Sequence, residues 1–374
     1  MRIDRIELRL LRLPLVRFFE TSFGRVHERV FLLLTVEDDG ACGVGECVAD
    51  ANPYYSAETT RTAWHVIAEF LAPLLLGRSF DHPQEIFGAL AIVRGHQMAK
   101  AALEMAAWDL AARQRGVSLS ALLAGTGAGR LRTSIESGVS IGIQDCLDEL
   151  VERVAIERAA GYRRVKIKIK PGWDVEAVAR IRDRFGDIPL MVDANAAYTL
   201  DDAARLCELD RFGLMMIEQP LDYDDIRDHA RLQGRLRTAI CLDESIHSVK
   251  AAQEAIELGA CRIINIKPGR VGGHGESLRL HDLTAAHGIP VWHGGMLESG
   301  IGRAHNIHLS TLPNFSLPGD VAASQRYYVP DLIDPPIVVR SDGTIAVPEG
   351  PGIGVQIMAD RVAAATEETM ELRA

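Results

Sequence analysis

The spacing of hydrophobic positions changes near residue 128. Before it, apolar residues at period two predict strands and apolar residues at helical spacing predict helices. The predicted strands are 2–12, 30–36 and 42–47, and the predicted helices are 57–76, 83–93 and 100–114. The last helix is apolar around nearly its whole circumference, which indicates that it is buried. Strands followed by helices are typical of an α+β domain.

From about residue 133, short β-rich runs alternate with amphipathic stretches. The predicted strands are 134–143, 165–170, 190–193, 214–218, 240–243, 263–267 and 290–293. The polar residues that end six of them are Lys168, Asp193, Glu218, Asp243, Lys267 and His293, so by subtraction the steps are 25, 25, 25, 24 and 26 residues. This βα repetition predicts parallel strands with right-handed crossovers, and the number of units favours a (β/α) barrel over an open doubly wound sheet.

A glycine-rich run at 125–129 separates the two patterns. It predicts an α+β domain over 1–128, followed by the barrel from 129 to about 324. Within the first domain, residues 18–25 combine aromatic and polar side chains with Gly24 and are predicted to form a loop. That loop is either a turn with a small hydrophobic cluster or a flap over a ligand.

Composition excludes several classes of protein. The 374 residues carry a net charge of −10, whereas nucleic-acid-binding proteins are usually basic. No apolar run is long enough to span a membrane, and the N-terminus lacks the apolar core of a signal peptide. The six cysteines are scattered, which fits reduced thiols in a cytoplasmic protein better than disulfides or a zinc site. No Gly-x-Gly-x-x-Gly follows a strand, so no dinucleotide site is predicted.

Three carboxylates end consecutive predicted strands: Asp193, Glu218 and Asp243. In such barrels the active site lies at the carboxyl ends of the strands, so these side chains should converge. Close carboxylates repel one another unless a cation lies between them, and oxygen-only ligands suit Mg²⁺. The alternative is a ring of salt bridges with nearby lysines, but the regular spacing favours a metal site.

Lysines flank the three acids on both sides. Lys166 and Lys168 precede them, and Lys267 follows them. Nearby cations depress the pKa of a lysine, so a metal ion and a second lysine would prepare Lys168 to act as a base near neutral pH. A divalent metal would also stabilise the enediolate formed when a proton leaves the carbon next to a carboxylate.

These features resemble the enolase superfamily, in its muconate lactonizing enzyme-like subgroup, and within it the o-succinylbenzoate synthase / N-succinylamino acid racemase family. The handful of barrel stretches that carry the resemblance are Lys166-Ile167-Lys168-Ile169-Lys170-Pro171-Gly172, Val192-Asp193-Ala194-Asn195, Ile217-Glu218-Gln219-Pro220, Leu242-Asp243-Glu244-Ser245, Asn265-Ile266-Lys267-Pro268-Gly269-Arg270 and Gly294-Gly295-Met296. Thr21-Ser22-Phe23-Gly24, Gly45-Glu46-Cys47 and Leu317-Pro318-Gly319-Asp320 extend it over nearly the whole chain.

The resemblance implies a modified (β/α)7β barrel with an α+β capping domain, which the C-terminal segment 325–374 completes. It implies that the three acids bind Mg²⁺, with Mn²⁺ or Co²⁺ as substitutes. Lys168 would be the acid/base on one face of the substrate with Lys166 beside it, and Lys267 would stand on the other face. No role is assigned to Lys170.

The same resemblance implies the residues of the substrate pocket. Ser140 and Asn195 would lie in the pocket, and Phe19 and Phe23 would belong to a lid at about 16–27. The residues along the substrate tail would be Gly294, Gly295 and Met296. The substrate would be a small carboxylate with a succinyl or acyl tail, and the protein would be a homo-oligomer.

Two reactions fit these residues. One is dehydration of 2-succinyl-6-hydroxy-2,4-cyclohexadiene-1-carboxylate to o-succinylbenzoate, a step of menaquinone biosynthesis, in which Lys267 needs only to be a cation. The other is racemisation of N-succinylamino acids, in which Lys267 must titrate. Arg270 would lower the pKa of Lys267 if it lies close, or else it forms only a surface ion pair.

Other functions remain as alternatives. A dipeptide epimerase usually has an Asp-x-Asp pair near the last strand, where this chain has Pro318-Gly319-Asp320-Val321. A muconate-type cycloisomerase shares the same site. A mandelate-racemase type requires a histidine base where Lys267 stands, and a non-enzymatic relative does not require the intact lysines and acids.

Overall fold

The computed structural model of the protein describes residues 1–125 and 131–374. The predicted boundary between 128 and 129 therefore lies outside the described residues. No helix in the described part of the chain is long and apolar enough to cross a membrane.

The N-terminal part is an antiparallel sheet covered by helices. Its strands are β1 (Arg5–Thr21), β2 (Gly24–Asp38) and β3 (Ala41–Cys47), and its helices are α1 (Thr60–Val66), α2 (Glu85–Ala89), α3 (Gln97–Gln114) and α4 (Leu119–Ala124). Helix α3 is buried on all sides, as predicted. It lies so close to β3 that a Cβ at Gly43 or Gly45 would come within 2.2 Å of its backbone. These two glycines therefore permit the contact between sheet and helix.

Two predictions for this part are wrong in detail. Residues 18–25 are not a loop: β1 and β2 continue through them as a hairpin, joined by a turn at Ser22 and Phe23. The helix predicted over 57–76 is α1 alone, followed by a π-helical turn at Ile67–Leu71 and a 3₁₀ turn at Ala72–Leu74.

In the described part of the chain, the barrel contains seven parallel strands with the helices outside them. The strand that precedes them is β4 (Ser134–Glu136), and the barrel strands are β5 (Gly138–Ile141), β6 (Arg164–Lys168), β7 (Leu190–Asp193), β8 (Ile217–Glu218), β9 (Ile240–Leu242), β10 (Ile263–Ile266) and β11 (Val291–His293). The helices are α5 (Leu147–Ala159), α6 (Val175–Phe185), α7 (Ala203–Cys207), α8 (Ile226–Gln233), α9 (Val249–Leu258), α10 (Pro268–Val271), α11 (His274–Ala286) and α12 (Gly300–Leu309). Neighbouring strands follow chain order from β5 to β11.

Residues 315–320 close the barrel between its first and last strands. Phe315 pairs in parallel with Val291, and Gly319 pairs in parallel with Ser137. The Asp320 N–H donates to the His293 carbonyl at 2.8 Å, and the Gly138 N–H donates to the Gly319 carbonyl at 2.7 Å. This segment therefore occupies the place of the eighth strand.

The C-terminal segment returns to the first domain. It contains β12 (Ile333–Asp334), β13 (Thr344–Ala346), β14 (Gln356–Ile357), α13 (Ala359–Ala365) and β15 (Thr366–Arg373). β13 pairs with β4, and β15 adds to the N-terminal sheet beside β1. The predicted fold class is confirmed.

Candidate active site

Strand β6 directs two lysines into the barrel. All five of its residues are buried, because helices cover its outer side while Lys166 and Lys168 point inward. Lys168 Nζ lies 2.6 Å from Asp193 Oδ2 and 2.6 Å from Asn195 Oδ1. The predicted base is therefore hydrogen-bonded to two side chains of the neighbouring strand end.

Lys166 lies among three carboxylates. Its Nζ is 2.9 Å from Glu218 Oε2, 3.2 Å from Asp193 Oδ2 and 2.5 Å from Asp320 Oδ2. Burial alone would lower the pKa of Lys166, but these three charges outweigh it and raise that pKa above its ordinary value. Lys166 therefore remains an ammonium group that neutralises the acids.

Lys267 lies across the ring of strands, at the end of β10. Its Nζ is 2.8 Å from Asp243 Oδ2, 3.1 Å from the Tyr55 hydroxyl and 3.5 Å from Met296 Sδ. Burial would lower the pKa of Lys267, but Tyr55 and Glu244 raise it above its ordinary value. The strands that carry Asp193, Glu218 and Asp243 lie between the strands of Lys168 and Lys267.

The three predicted acids lie in one buried group with alternating charges. Burial would raise the pKa of Asp193, but Lys168 and Lys166 hold it well below its ordinary range. Burial and then the Asp193 charge raise the pKa of Glu218. Lys166 contacts the carboxyl groups of both residues.

The donor chemistry of this group fits a hard divalent cation. Its side-chain acceptors are all oxygens, and Glu244 Oε2 is buried without a hydrogen-bond partner in the part of the chain that the structure describes. In the arrangement shown, lysine and arginine side chains contact the carboxylates. No three or more His, Cys, Asp or Glu side chains of residues 1–125 and 131–374 are assembled as a metal site. A cation would therefore compete with ammonium groups for the same oxygens.

Arg270 is buried rather than at the surface, so a surface ion pair is wrong. Its side chain is 5% exposed, and its guanidinium contacts Asp243, the carboxylate that also accepts from Lys267. Burial would lower the pKa of Lys267, but in this arrangement Tyr55 and Glu244 raise it above its ordinary value. Lys170 lies away from the acids, with Nζ 3.4 Å from Glu20 Oε1.

The hairpin tip covers the barrel mouth. Phe19 and Phe23 line a cavity of about 450 Å³ together with Ser140, Lys168 and Lys267. Ser22 Oγ donates to the Asn195 carbonyl at 3.2 Å, which joins the tip to the end of β7. Ser140 Oγ is buried and has no hydrogen-bond partner among the described residues. The hairpin thus brings both aromatic residues to the same cavity as the lysines.

The glycines after β11 have different surroundings. Gly295 and Met296 line the cavity, whereas Gly294 packs behind Lys267. A Cβ at Gly294 would lie 2.6 Å from Lys267 Cε and 2.3 Å from Asn265 Nδ2. Gly294 therefore provides space for the lysine.

Comparisons with known proteins agree with this architecture. The model described as "Mandelate racemase / muconate lactonizing enzyme, N-terminal domain" matches residues 5–124, and the one described as "Enolase C-terminal domain-like" matches residues 149–361. The o-succinylbenzoate synthase of Geobacillus kaustophilus is 54% identical over 95% of this chain and 93% of its own. The N-succinylamino acid racemase of an Amycolatopsis species is 50% identical over 95% of each chain.

The chain belongs to the o-succinylbenzoate synthase / N-succinylamino acid racemase family of the enolase superfamily. A solved structure of an enolase-superfamily member from Listeria innocua is 40% identical and superposes with a TM-score of 0.94, covering 100% of this chain and 99% of that one. A dipeptide epimerase from Cytophaga hutchinsonii, solved with Mg and the dipeptide D-Ala-L-Val, is 24% identical with a TM-score of 0.90 over 100% of both chains. The likeness to the dipeptide epimerase shows a shared fold.

Four polar residues that line or contact this buried group were missed by sequence reasoning. Asp320 accepts from both Lys166 and Arg164, whose charges lower its pKa to about 2 although burial would raise it. Asn265 Nδ2 donates to Glu218 Oε1 at 2.7 Å. The other two are Glu244 and Tyr55.

Part of this set had a signal in the sequence. Asn265 stands two residues before Lys267 on one strand, so period two places both side chains on the same face. Tyr55 belongs to the capping domain, and nothing in the barrel pattern indicates its position. Asp320 lies outside the run of regular strand ends.

Proposed function

We propose that the protein removes and returns the proton on the carbon next to a substrate carboxylate, with Lys168 and Lys267 on opposite faces. The observation that carries this proposal is the placement of the two lysines at β6 and β10, with carboxylates on β7, β8 and at the end of β9 between them. A buried lysine that loses its carboxylate partner loses the charge that favours its protonated form. Each lysine could then accept the α-proton.

We propose Asp193, Glu218 and Asp243 as the residues that hold a divalent cation, Mg²⁺ first, with Mn²⁺ or Co²⁺ as substitutes. The oxygen-only donor set and the unpartnered Glu244 oxygen support it. When bound, such an ion stabilises negative charge that develops on a substrate carboxylate. Lys166 supplies a fixed positive charge beside Asp193 and Glu218, and Asn195 orients Lys168.

The substrates we propose are those of the family: N-succinylamino acids or other N-acylamino acids for racemisation, and 2-succinyl-6-hydroxy-2,4-cyclohexadiene-1-carboxylate for dehydration. Phe19 and Phe23 would exclude water above the reacting carbon, and Ser140 Oγ would donate to the substrate. Gly295 and Met296 would contact the acyl tail, whereas Gly294 would provide space for Lys267.

Racemisation and dehydration make different demands on Lys267. Racemisation needs a group that both gives and takes a proton, whereas dehydration needs only a positive charge at that position. Arg270, buried against the same carboxylate as Lys267, would adjust the pKa of Lys267 once the charge of Asp243 is shared with a cation.

Replacing Lys267 by arginine separates the two reactions. We expect Lys267→Arg to lower the racemase kcat at least about 100-fold, because arginine does not titrate. The kcat for dehydration should change much less. Side-by-side assays of both reactions provide the measurement, with Lys168→Ala as the variant that loses both. If Lys267→Arg and Lys168→Ala leave both activities intact, the assignment of the site is wrong.

We retain two further predictions as proposals. The chain divides into a capping domain over 1–128, a barrel over 129–324 and a returning segment over 325–374. The protein is a homo-oligomer, which light scattering after size-exclusion chromatography measures directly.

A further inference from the structure

A second cavity lies beside the main one. It encloses about 230 Å³, and Phe19 and Tyr327 line both cavities, so that the two share a wall. The polar residues around the second cavity are mainly arginines: Arg17 from β1, Arg153 from α5, and Arg326 from the turn after the barrel. Three separate parts of the chain thus direct guanidinium groups to one small space.

Too few carboxylates lie near these three arginines to neutralise their positive charge. Glu157 Oε1 lies 3.0 Å from Arg326 Nη1 and 3.7 Å from Arg153 Nη1, so both share one carboxylate. Within the described residues, Arg17 has no carboxylate within 4.0 Å, and Arg326 Nε is buried without a hydrogen-bond partner. Three positive charges against one negative charge leave a surplus of two at the cavity.

The surplus charge is unfavourable in the structure as it stands. Burial, and then the charge of Arg17, lower the pKa of Arg153. Arginine is the side chain best suited to bind carboxylate and phosphate, because its planar group donates two parallel hydrogen bonds. A small anion in this cavity would offset the repulsion and provide an acceptor for the unpartnered Nε.

We propose that Arg17, Arg153 and Arg326 form an anion-binding site for a small oxyanion or carboxylate next to the active site. The shared chemistry is a compact anionic oxygen group. It comes either from a free anion such as inorganic phosphate or from the terminal carboxylate of a substrate's acyl tail. The second source rests on the proposed function, and the first does not.

The site is connected to the substrate cavity by direct contacts. Arg326 Nη2 donates to the Ser140 carbonyl at 2.9 Å, and the Val16 N–H donates to the Tyr327 carbonyl at 2.9 Å. An anion held there would fix Arg17 on β1, two residues before Phe19. Its binding would therefore stabilise the hairpin over the active site.

Calorimetric titration of inorganic phosphate into the EDTA-treated protein tests the site without any catalysis. Chloride is adjusted to keep ionic strength constant. We expect Arg153→Gln and Arg17→Gln each to weaken phosphate binding by about tenfold, the loss of one charged hydrogen bond. Arg158→Gln removes the same charge from the same helix α5 but does not line the cavity, so it should bind like the parent protein. Arg17 is exposed on its strand, so its variant remains informative if Arg153→Gln does not fold.

A second arm distinguishes the two sources of the anion. If the site holds the acyl tail, Arg153→Gln raises KM for an N-succinyl substrate more than for its N-acetyl counterpart, and phosphate competes with the N-succinyl substrate. If the site holds a free anion, the KM ratio is unchanged while phosphate binding is weakened. The proposal is overturned if phosphate binds the cavity variants and Arg158→Gln equally, or not at all, and the KM ratio also stays constant. Loss of enzyme activity alone would not affect the calorimetric arm.

Discussion

Lys168 and Lys267 each hydrogen-bond to a different carboxylate, Asp193 and Asp243. The sequence left two interpretations of these acids, a metal site and a ring of salt bridges. The structure shows the salt bridges, and the proposed cation would use the same oxygens. The two interpretations therefore describe competing partners of one set of acids. A cation bound there would take oxygens that now accept hydrogen bonds from the two lysines.

A substitution at Gly294 tests how precisely the Lys267 side chain must be positioned. We expect Gly294→Ala to reduce racemase kcat by about tenfold or more, because its Cβ would displace the Lys267 side chain, a typical overpacking effect. Steady-state kinetics and thermal unfolding check this together. The control is Gly234→Ala, whose Cβ meets only ordinary contacts at 3.5 Å or more. Equal activity in both variants would show that the position of Lys267 is not restricted here.

The regular spacing of the strand ends is what made part of the site predictable from the sequence. Strands of one sheet bring their ends to one edge, so repeated steps of about 25 residues identify side chains that meet. Tyr55 reaches Lys267 from another domain, and Asp320 follows an irregular segment. Contacts of that kind depend on tertiary packing, which spacing along the chain does not encode.

At the scale of elements, buried carboxylates of the capping domain cap helices of the barrel. Glu46 accepts from the N–H groups of Ser299 and Gly302 at the start of α12, and from the Ser299 hydroxyl at 2.6 Å. Glu104 accepts from the N–H groups of His274 and Gly275 at the start of α11. Each acid satisfies helix N–H groups that would otherwise be buried without partners, and so joins the two domains.

These caps predict a dependence of stability on pH. Burial raises the pKa of Glu46 to about 7, from 4.5. A folded-state pKa above the unfolded value contributes stability below pH 4.5 that is lost as pH rises through about 7, on the order of 3 kcal/mol for this shift. We expect Glu46→Gln to show a smaller loss of stability between pH 5 and pH 8 than the parent protein. Urea unfolding at several pH values measures it.

The control for this experiment is Glu152→Gln, on the exposed side of α5. It should retain the pH dependence of the parent protein. Identical pH dependence in Glu46→Gln would contradict the assignment, because another group would then carry the titration.

The hairpin shows why elements can be mispredicted locally. Residues 18–25 have the composition of a loop, yet the pairing of Phe19 with Val26 and Thr21 with Gly24 continues the strands to the tip. The outer half of the hairpin lies over the barrel mouth. Its two faces therefore do not follow the usual pattern of a strand, in which one face packs on the core and the other faces solvent.

At the scale of the whole molecule, seven of the barrel strands were predictable and the closing segment was not. Six of the seven combine β-branched residues with a polar end. Residues 315–320 include Pro318 and Gly319, which are poor strand formers, and they pair only at isolated points. The return of β15 to the first sheet followed from resemblance to the family, because pairing between the two ends of a chain leaves no local pattern.

The central claim is that one lysine acts on each face of a shared substrate position. The most direct measurement is exchange of the α-proton of D- and L-N-succinylamino acids in D₂O with Mg²⁺, followed by NMR. The account predicts that Lys168→Ala abolishes exchange of one enantiomer and Lys267→Ala that of the other, while EDTA abolishes both. Equal loss for both enantiomers in each variant, or exchange that persists without a divalent cation, would contradict it.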